Sequence, residues 1–126
     1  MIGDIYEALK THWDGIGLGV ELYQAFPLNK TTTFGIVRQV PGGQTVNRST
    51  CSTTDMFLFE FVVYHCRTFE QCDGIITSVV DAFENAALTL TGLVECVRQR
   101  PPFIEQTEKT SWVGSFVLAV TVERSF

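Results

Sequence analysis

Apolar residues recur along this chain with two different periods, and the places where the period changes divide it into elements. Ile2, Ile5, Tyr6, Leu9 and Trp13 fall at helical spacing, so residues 2–13 are expected as a helix with one apolar face, ended by Gly15, Gly17 and Gly19. Val20–Phe26 reads as a strand stopped by Pro27, which has no N–H for a ladder. After a polar turn at Asn29–Thr33, Phe34–Val40 reads as a second strand. In it Phe34, Ile36 and Val40 share a face with Arg38, and Pro41-Gly42-Gly43 closes it.

The next segment, 41–55, is polar throughout. A structureless loop of this length is uncommon in a compact domain and is usually functional or disordered. Its Thr, Val and Asn residues also suit a short projecting hairpin arm, and the sequence leaves both readings open.

From Met56 the pattern sharpens. Met56–Cys66 is expected as a strand with Phe57, Phe59, Phe61 and Val63 on one face and Met56, Leu58, Val62 and Tyr64 on the other, Glu60 being the polar exception. Apolar residues on both faces suggest a strand covered on both sides. A helix supplies one cover; a neighbouring subunit is a candidate for the other. Thr68 and Gln71 form a capping box at the start of a helix, with Glu70 and Asp73 suited to the positive end of its dipole. Cys72, Ile75, Ile76, Val79, Val80 and Phe83 make its buried stripe, each large side chain contributing about 1.5–3 kcal/mol on full burial. Leu93–Arg100 is expected as a strand with Arg98 and Arg100 on the face of Val94 and Cys96, ended by Pro101-Pro102. Ile104–Ser111 reads as a turn. In Trp112–Glu123, Trp112, Phe116, Leu118, Val120 and Val122 alternate with polar or small residues, and this strand pairs with its predecessor as a hairpin. The expected fold is α+β: a mixed, mostly antiparallel sheet of about five strands packed by two helices, in the order α-β-β-β-α-β-β.

Composition narrows the class. At 126 residues the chain is expected to be one domain, 1–126, with a core of its own. The net charge of −5 gives no basic footprint for nucleic acid and no attraction to an anionic membrane. No apolar run approaches the length of a membrane span, and the acidic, amphipathic N-terminus does not resemble a secretory leader. Cysteines 51, 66, 72 and 96 show no CxxC and no paired spacing, so they are expected as buried free thiols in a reducing compartment.

The search for chemistry returns little. His12 and His65 have no partners at ligand spacing, so no metal or cofactor is expected. His65 and Cys66, as strand neighbours, would point to opposite faces, which disfavours a nucleophile pair. Asp81 and Glu84 lie on the polar face of a helix, and no nucleophile-elbow or phosphate-loop motif occurs. The protein is therefore not expected to be an enzyme.

One resemblance spans nearly the whole chain. The run Phe59-Glu60-Phe61-Val62-Val63-Tyr64, then Thr68-Phe69-Glu70-Gln71-Cys72 and Val79-Val80-Asp81-Ala82-Phe83, is followed by Arg100-Pro101-Pro102-Phe103-Ile104-Glu105, Trp112-Val113-Gly114-Ser115-Phe116 and Val120-Thr121-Val122-Glu123-Arg124. With the helix before it, this series resembles the tail-terminator (tail-completion) and minor tail proteins of long-tailed bacteriophages. The four cysteines and the 41–55 segment depart from that pattern. The resemblance implies a structural virion protein, made in the host cytoplasm, that forms a homo-oligomeric ring, commonly a hexamer. The ring sits on the head-proximal end of the tail, ends tube polymerisation and joins tail to neck. Its partners would be itself, the tail tube protein and a neck or connector protein, with DNA only passing through the lumen. Gly42, Gly43, Gln44, Asn47 and Arg48 would form an arm reaching a neighbour or the tube, and Arg98 and Arg100 a candidate interface. Two other readings remain: a different head–tail joining subunit of the neck or stopper, and a small α+β ligand-binding domain. The last would have a pocket between helix 69–84 and the sheet, with Glu60 and Arg38 as its polar groups.

Overall fold

The computed structural model describes residues 2–27, 32–48, 52–84, 94–108 and 111–125. Along the chain these form α1 (Ile2–Ile16), β1 (Leu22–Tyr23), β2 (Phe34–Arg48), β3 (Ser52–Cys66), α2 (Phe69–Phe83), β4 (Val94–Glu108) and β5 (Ser111–Ser125). The strands make one five-stranded sheet in the order β1-β2-β3-β5-β4. Only β1–β2 is parallel; β2–β3, β3–β5 and β4–β5 are antiparallel. The α+β class, the element order and the final hairpin agree with the periodicity.

Each helix forms for a local reason and is then held by its apolar face. In α1, Ile5, Ala8, Leu9 and Trp13 are buried. The helix continues through Gly15 to Ile16, one turn beyond the expected end, and stops where Gly17 takes φ 78°. Trp13 Nε1 donates to the Val20 carbonyl at 2.7 Å, which fixes the path of the chain after the helix. In α2 the Gln71 amide donates to Thr68 Oγ1 at 3.1 Å. The return bond of the capping box comes from the Arg67 amide to Gln71 Oε1, at 2.8 Å, instead of from the Thr68 amide. Cys72, Ile76, Val79, Val80 and Phe83 are buried as the stripe requires, and Ile75 packs at its margin.

Both helices lie on the same face of the sheet and share one core with Phe59, Phe61 and Val63 of β3 and with Phe116, Leu118, Val120 and Val122 of β5. Phe61 is its centre. Its ring stacks on Phe116 at 5.2 Å and on Trp13 at 6.2 Å, and meets Phe83 at 5.0 Å. The helices come close because two strand residues beneath them lack side chains. Gly35, Val63 and Gly114 form one cross-strand row. A Cβ on Gly35 would fall 2.9 Å from the Trp13 ring, and one on Gly114 would fall 2.7 Å from Ile76 and 2.8 Å from Cys72 Sγ.

Four boundaries differ from those expected, each because a neighbouring strand overrides a local signal. The strand expected at Val20–Phe26 contracts to Leu22–Tyr23, since only its middle lies beside β2. Pro41-Gly42-Gly43 does not end β2. Val40 pairs with Leu58 and Gln44 with Met56, so the three residues bulge opposite Phe57 and the strand resumes. Residues 41–48 and 52–55 are therefore paired strands of an arm, with β3 starting at Ser52, four residues before the expected Met56. Likewise Pro101-Pro102 is a bulge inside β4, and Ile104–Glu108 is strand and not turn. The prolines are tolerated because β4 is an edge strand.

The glycine row gives a stability test. Gly114→Ala is expected to cost about 1–3 kcal/mol by overpacking. Gly74→Ala, at an exposed helical position with open space around it, is expected to gain about 0.5–1 kcal/mol. Urea denaturation of the two variants checks the opposite signs.

Candidate functional site

With both helices on one face, the alternation of the strands leaves a second apolar face opposite. The register builds it in rows: Ile36, Val62, Ser115 and Phe103; then Arg38, Glu60, Val117 and Arg100; then Val40, Leu58, Ala119 and Val97. One end of this face is closed locally, where Phe26 and Tyr64 pack around the buried Phe34 at 5.3 and 5.4 Å. Over the three rows, no helix or strand of the described residues lies. Ile36, Val62, Val117 and Ala119 are themselves buried, whereas Val97 is 41% and Phe103 60% exposed. Large exposed apolar side chains continuous with an apolar sheet face are the usual mark of an interaction surface. Arg38 and Glu60 pair across its middle, with Nε to Oε1 at 2.8 Å. That pair is solvent-facing, so it contributes at most about 1 kcal/mol and serves mainly to keep two charges from standing alone on the apolar face.

The arm extends this surface. A 15-residue strand spans about 50 Å, whereas a 15-residue helix spans about 22 Å. Two such helices cannot roof the strands along their length, and the distal ends of β2 and β3 run past them with the end of β5, which pairs with β3 as far as Ser125. Within the arm Thr45 Oγ1 donates to Asp55 Oδ1 at 2.9 Å. Nearer the body the free edge of β2 is guarded: the Gly35 amide donates to the Glu21 carbonyl at 2.8 Å and the Gln39 amide to the Tyr6 hydroxyl at 2.9 Å. From Val40 outward, β2 has β3 as its only strand neighbour among the described residues.

The expected site residues separate into two sets. Gly42, Gly43 and Gln44 are exposed at and after the bulge where the arm leaves the body, and Asn47 and Arg48 pair with Thr54 and Thr53 near the arm's tip. Arg98 and Arg100 are exposed on β4, three strands and so about 14 Å away across the sheet. They do not share a face. Leu118 pairs with Arg98 and Val117 with Arg100, so the intervening bulge turns Arg100 to the open face and leaves Arg98 on the helix side. The expectation of one arginine patch is thus corrected.

The pocket expected between α2 and the sheet is filled by Cys72, Ile76, Val79, Val80 and Phe83, and Arg38 and Glu60 lie on the opposite face. A shallow polar cleft exists elsewhere, lined by Leu18, Val20, Glu21, Thr33 and Gln71. Among the described residues no three His, Cys, Asp or Glu side chains gather as metal ligands, and no helix is long and apolar enough to cross a membrane. Cys66, Cys72 and Cys96 are buried free thiols; burial, with Glu95 nearby, pushes Cys96 up to about 11. Cys51 lies outside the described residues. Sequence reasoning missed Phe103, because β4 was read as ending at the prolines, and singled out Arg98 and Arg100 on that strand but not Val97.

No family model matches the chain, and no curated protein sequence matches it. Its fold does match a solved one. A chain in the virion of a native gene transfer agent particle superposes with a TM-score of 0.69 at 20% identity, over 95% of this chain and 92% of that one. At that identity the likeness establishes a common fold from end to end.

The bulge is open to direct test. Gly42 holds φ 119°, and a Cβ there would meet Leu58 at 2.8 Å. Gly42→Ala is expected to cost about 1–3 kcal/mol. Hydrogen exchange should show faster exchange in 44–48 and 52–56 with the core amides little changed.

Proposed function

We propose that this chain is a structural, non-enzymatic virion protein that assembles as a ring at the head-proximal end of a phage-like tail. There it would stop growth of the tail tube and join the tail to the neck. The observation that carries the reading is the open sheet face, mostly apolar in its two outer rows, crossed by the charged Arg38, Glu60 and Arg100 in the middle one, and ending in the exposed Val97 and Phe103. A face of this kind is stable in water only when small or covered, and a neighbouring subunit is the natural cover. The fold shared with a chain of a gene transfer agent virion supports a virion setting, and the resemblance of the Phe59–Arg124 series to tail terminators supports the position within it.

The geometry suits a ring. The open face and the arm are different surfaces of one subunit, so contact between them is head-to-tail, the type that closes into a cycle. In this reading a neighbour covers the face, and the arm, with Gly42, Gly43 and Gln44 at its base and Asn47 and Arg48 near its tip, reaches along the ring or onto the tube protein. Arg100 belongs to the covered face. The hexameric number follows the resemblance. The net charge of −5 would let DNA pass through the lumen without adhering. Synthesis would be in the host cytoplasm and residence in the virion.

Val97→Asp combined with Phe103→Asp is expected to leave monomer stability within about 0.5 kcal/mol, because both positions are largely exposed. The same pair should weaken self-association by roughly tenfold or more. Light scattering after size exclusion, with and without isolated tail tubes, measures both. A wild-type chain that stays monomeric and ignores tubes would sink the ring reading. Electron-microscopic placement at the neck, away from the tube end, would move the protein to a different joining role.

A further inference from the structure

Among the described residues the large exposed apolar side chains are Phe26, Phe69, Val97 and Phe103. Val97 and Phe103 belong to the open face, and Phe26 packs on Phe34 and Tyr64 at its closed end. Phe69 stands elsewhere. It is the first residue of α2, 45% exposed, and Trp112 backs it edge-on at 5.6 Å. Trp112 is the strand partner of the buried Cys66 and packs against the core beneath the helices. The two rings therefore form a knob on the side of the sheet opposite the open face. The knob is held ready. Thr68 Oγ1 accepts from the Gln71 amide and Gln71 Oε1 from the Arg67 amide, which pins the backbone from Arg67 to Glu70. Little ordering is then needed on contact.

Charges flank both surfaces in the same order. Along β4 run Arg100, Phe103 and Glu105. Phe103 pairs with Ser115 and Glu105 with Val113, so both side chains take the open side with Arg100. At the start of α2 run Arg67, Phe69 and Glu70. All six residues are exposed. The ion pairs among the described residues, Lys10–Asp14 and Arg38–Glu60, use none of these four charges. Set antiparallel, Arg67 meets Glu105, Phe69 meets Phe103 and Glu70 meets Arg100. The β4 span is the longer, and its bulge with the two arginine side chains takes up the difference.

We propose that the Phe69–Trp112 knob of one copy seats on the β4 side of the open face of a second copy. There it lies against Phe103 and Val97, with Glu70 on Arg100 and Arg67 on Glu105. This rests on the ring reading and names the surface that covers the face. The occupant is a second copy because one chain carries both halves on opposite sides of its sheet, so they cannot meet within that chain. Two unlike halves repeat head-to-tail. The rings and Arg100 supply the centre, since aromatic and arginine side chains dominate interface energetics. The flanking charges set the orientation, because a reversed fit places like charges together.

The test removes each half of the contact alone and follows self-association of the full-length chain by analytical ultracentrifugation. Val97→Asp with Phe103→Asp disables the face, and Phe69→Asp disables the knob. Each variant is expected to be monomeric where the wild type assembles, while their mixture forms a one-to-one dimer that grows no further. The charges are tested by exchange. Glu70→Arg and Arg100→Glu should each weaken assembly roughly tenfold or more, and together in one chain should restore it to within about threefold of wild type. These two positions are exposed, so the exchange decides the matter even if Phe69→Asp fails to fold. Assembly that the face variant weakens but Phe69→Asp and Glu70→Arg leave unchanged overturns this contact and leaves the ring standing. So does a charge exchange that restores nothing. A wild-type chain that stays monomeric overturns both.

Discussion

The placement of both helices on one side of the sheet is the constraint from which the rest of this molecule follows. It depends on the row Gly35–Val63–Gly114, where two strands present bare backbone and allow Trp13 on one helix, and Ile76 and Cys72 on the other, to approach within contact distance. Between them Phe61 stacks on Trp13 and Phe116 and meets Phe83, so four elements share one dry cluster. Dispersion and burial both favour this arrangement, because interiors are close-packed and every atom at such a contact has partners on all sides.

The same arrangement produces the open face. A sheet alternates by geometry, so each residue sent into the core is followed by one sent to the other side. Here the alternate residues include Ile36, Leu58, Val62, Val117 and Phe103, and the chain has no third helix among the described elements to set over them. Length adds a second mismatch. Strands of 15 residues outrun helices of 15 residues by more than twofold, which leaves the distal ends of β2, β3 and β5 as an arm. Excess apolar face and excess strand length together are what a neighbour would cover in an assembly. That is the physical content of the proposed ring.

Much of the fold was legible because period and burial agree over long runs. The β3 faces, the α2 stripe and the β5 alternation were each readable from spacing, and each is found on the side expected. The local stop signals misled. Pro41-Gly42-Gly43 and Pro101-Pro102 are turn chemistry in isolation, yet each lies in a bulge of a strand held by its ladder partner on both sides of the bulge. The Arg98–Arg100 pairing failed for the same reason, since one extra residue in a ladder reverses the face of everything after it.

By itself, the sequence determined which segments are helical or extended, which of their faces are apolar, and that one strand has more apolar surface than a single helix can hide. Those properties depend on neighbours a few residues away and on the fixed periods of 3.6 and 2. Tertiary structure alone decided where strands end, which side β4 turns Arg100 and Phe103 toward, and that both helices take the same face of the sheet. These depend on ladder partners tens of residues distant and on whether a glycine in one strand meets a helix arriving from elsewhere. No local pattern records such a meeting, and the open face exists only as its consequence.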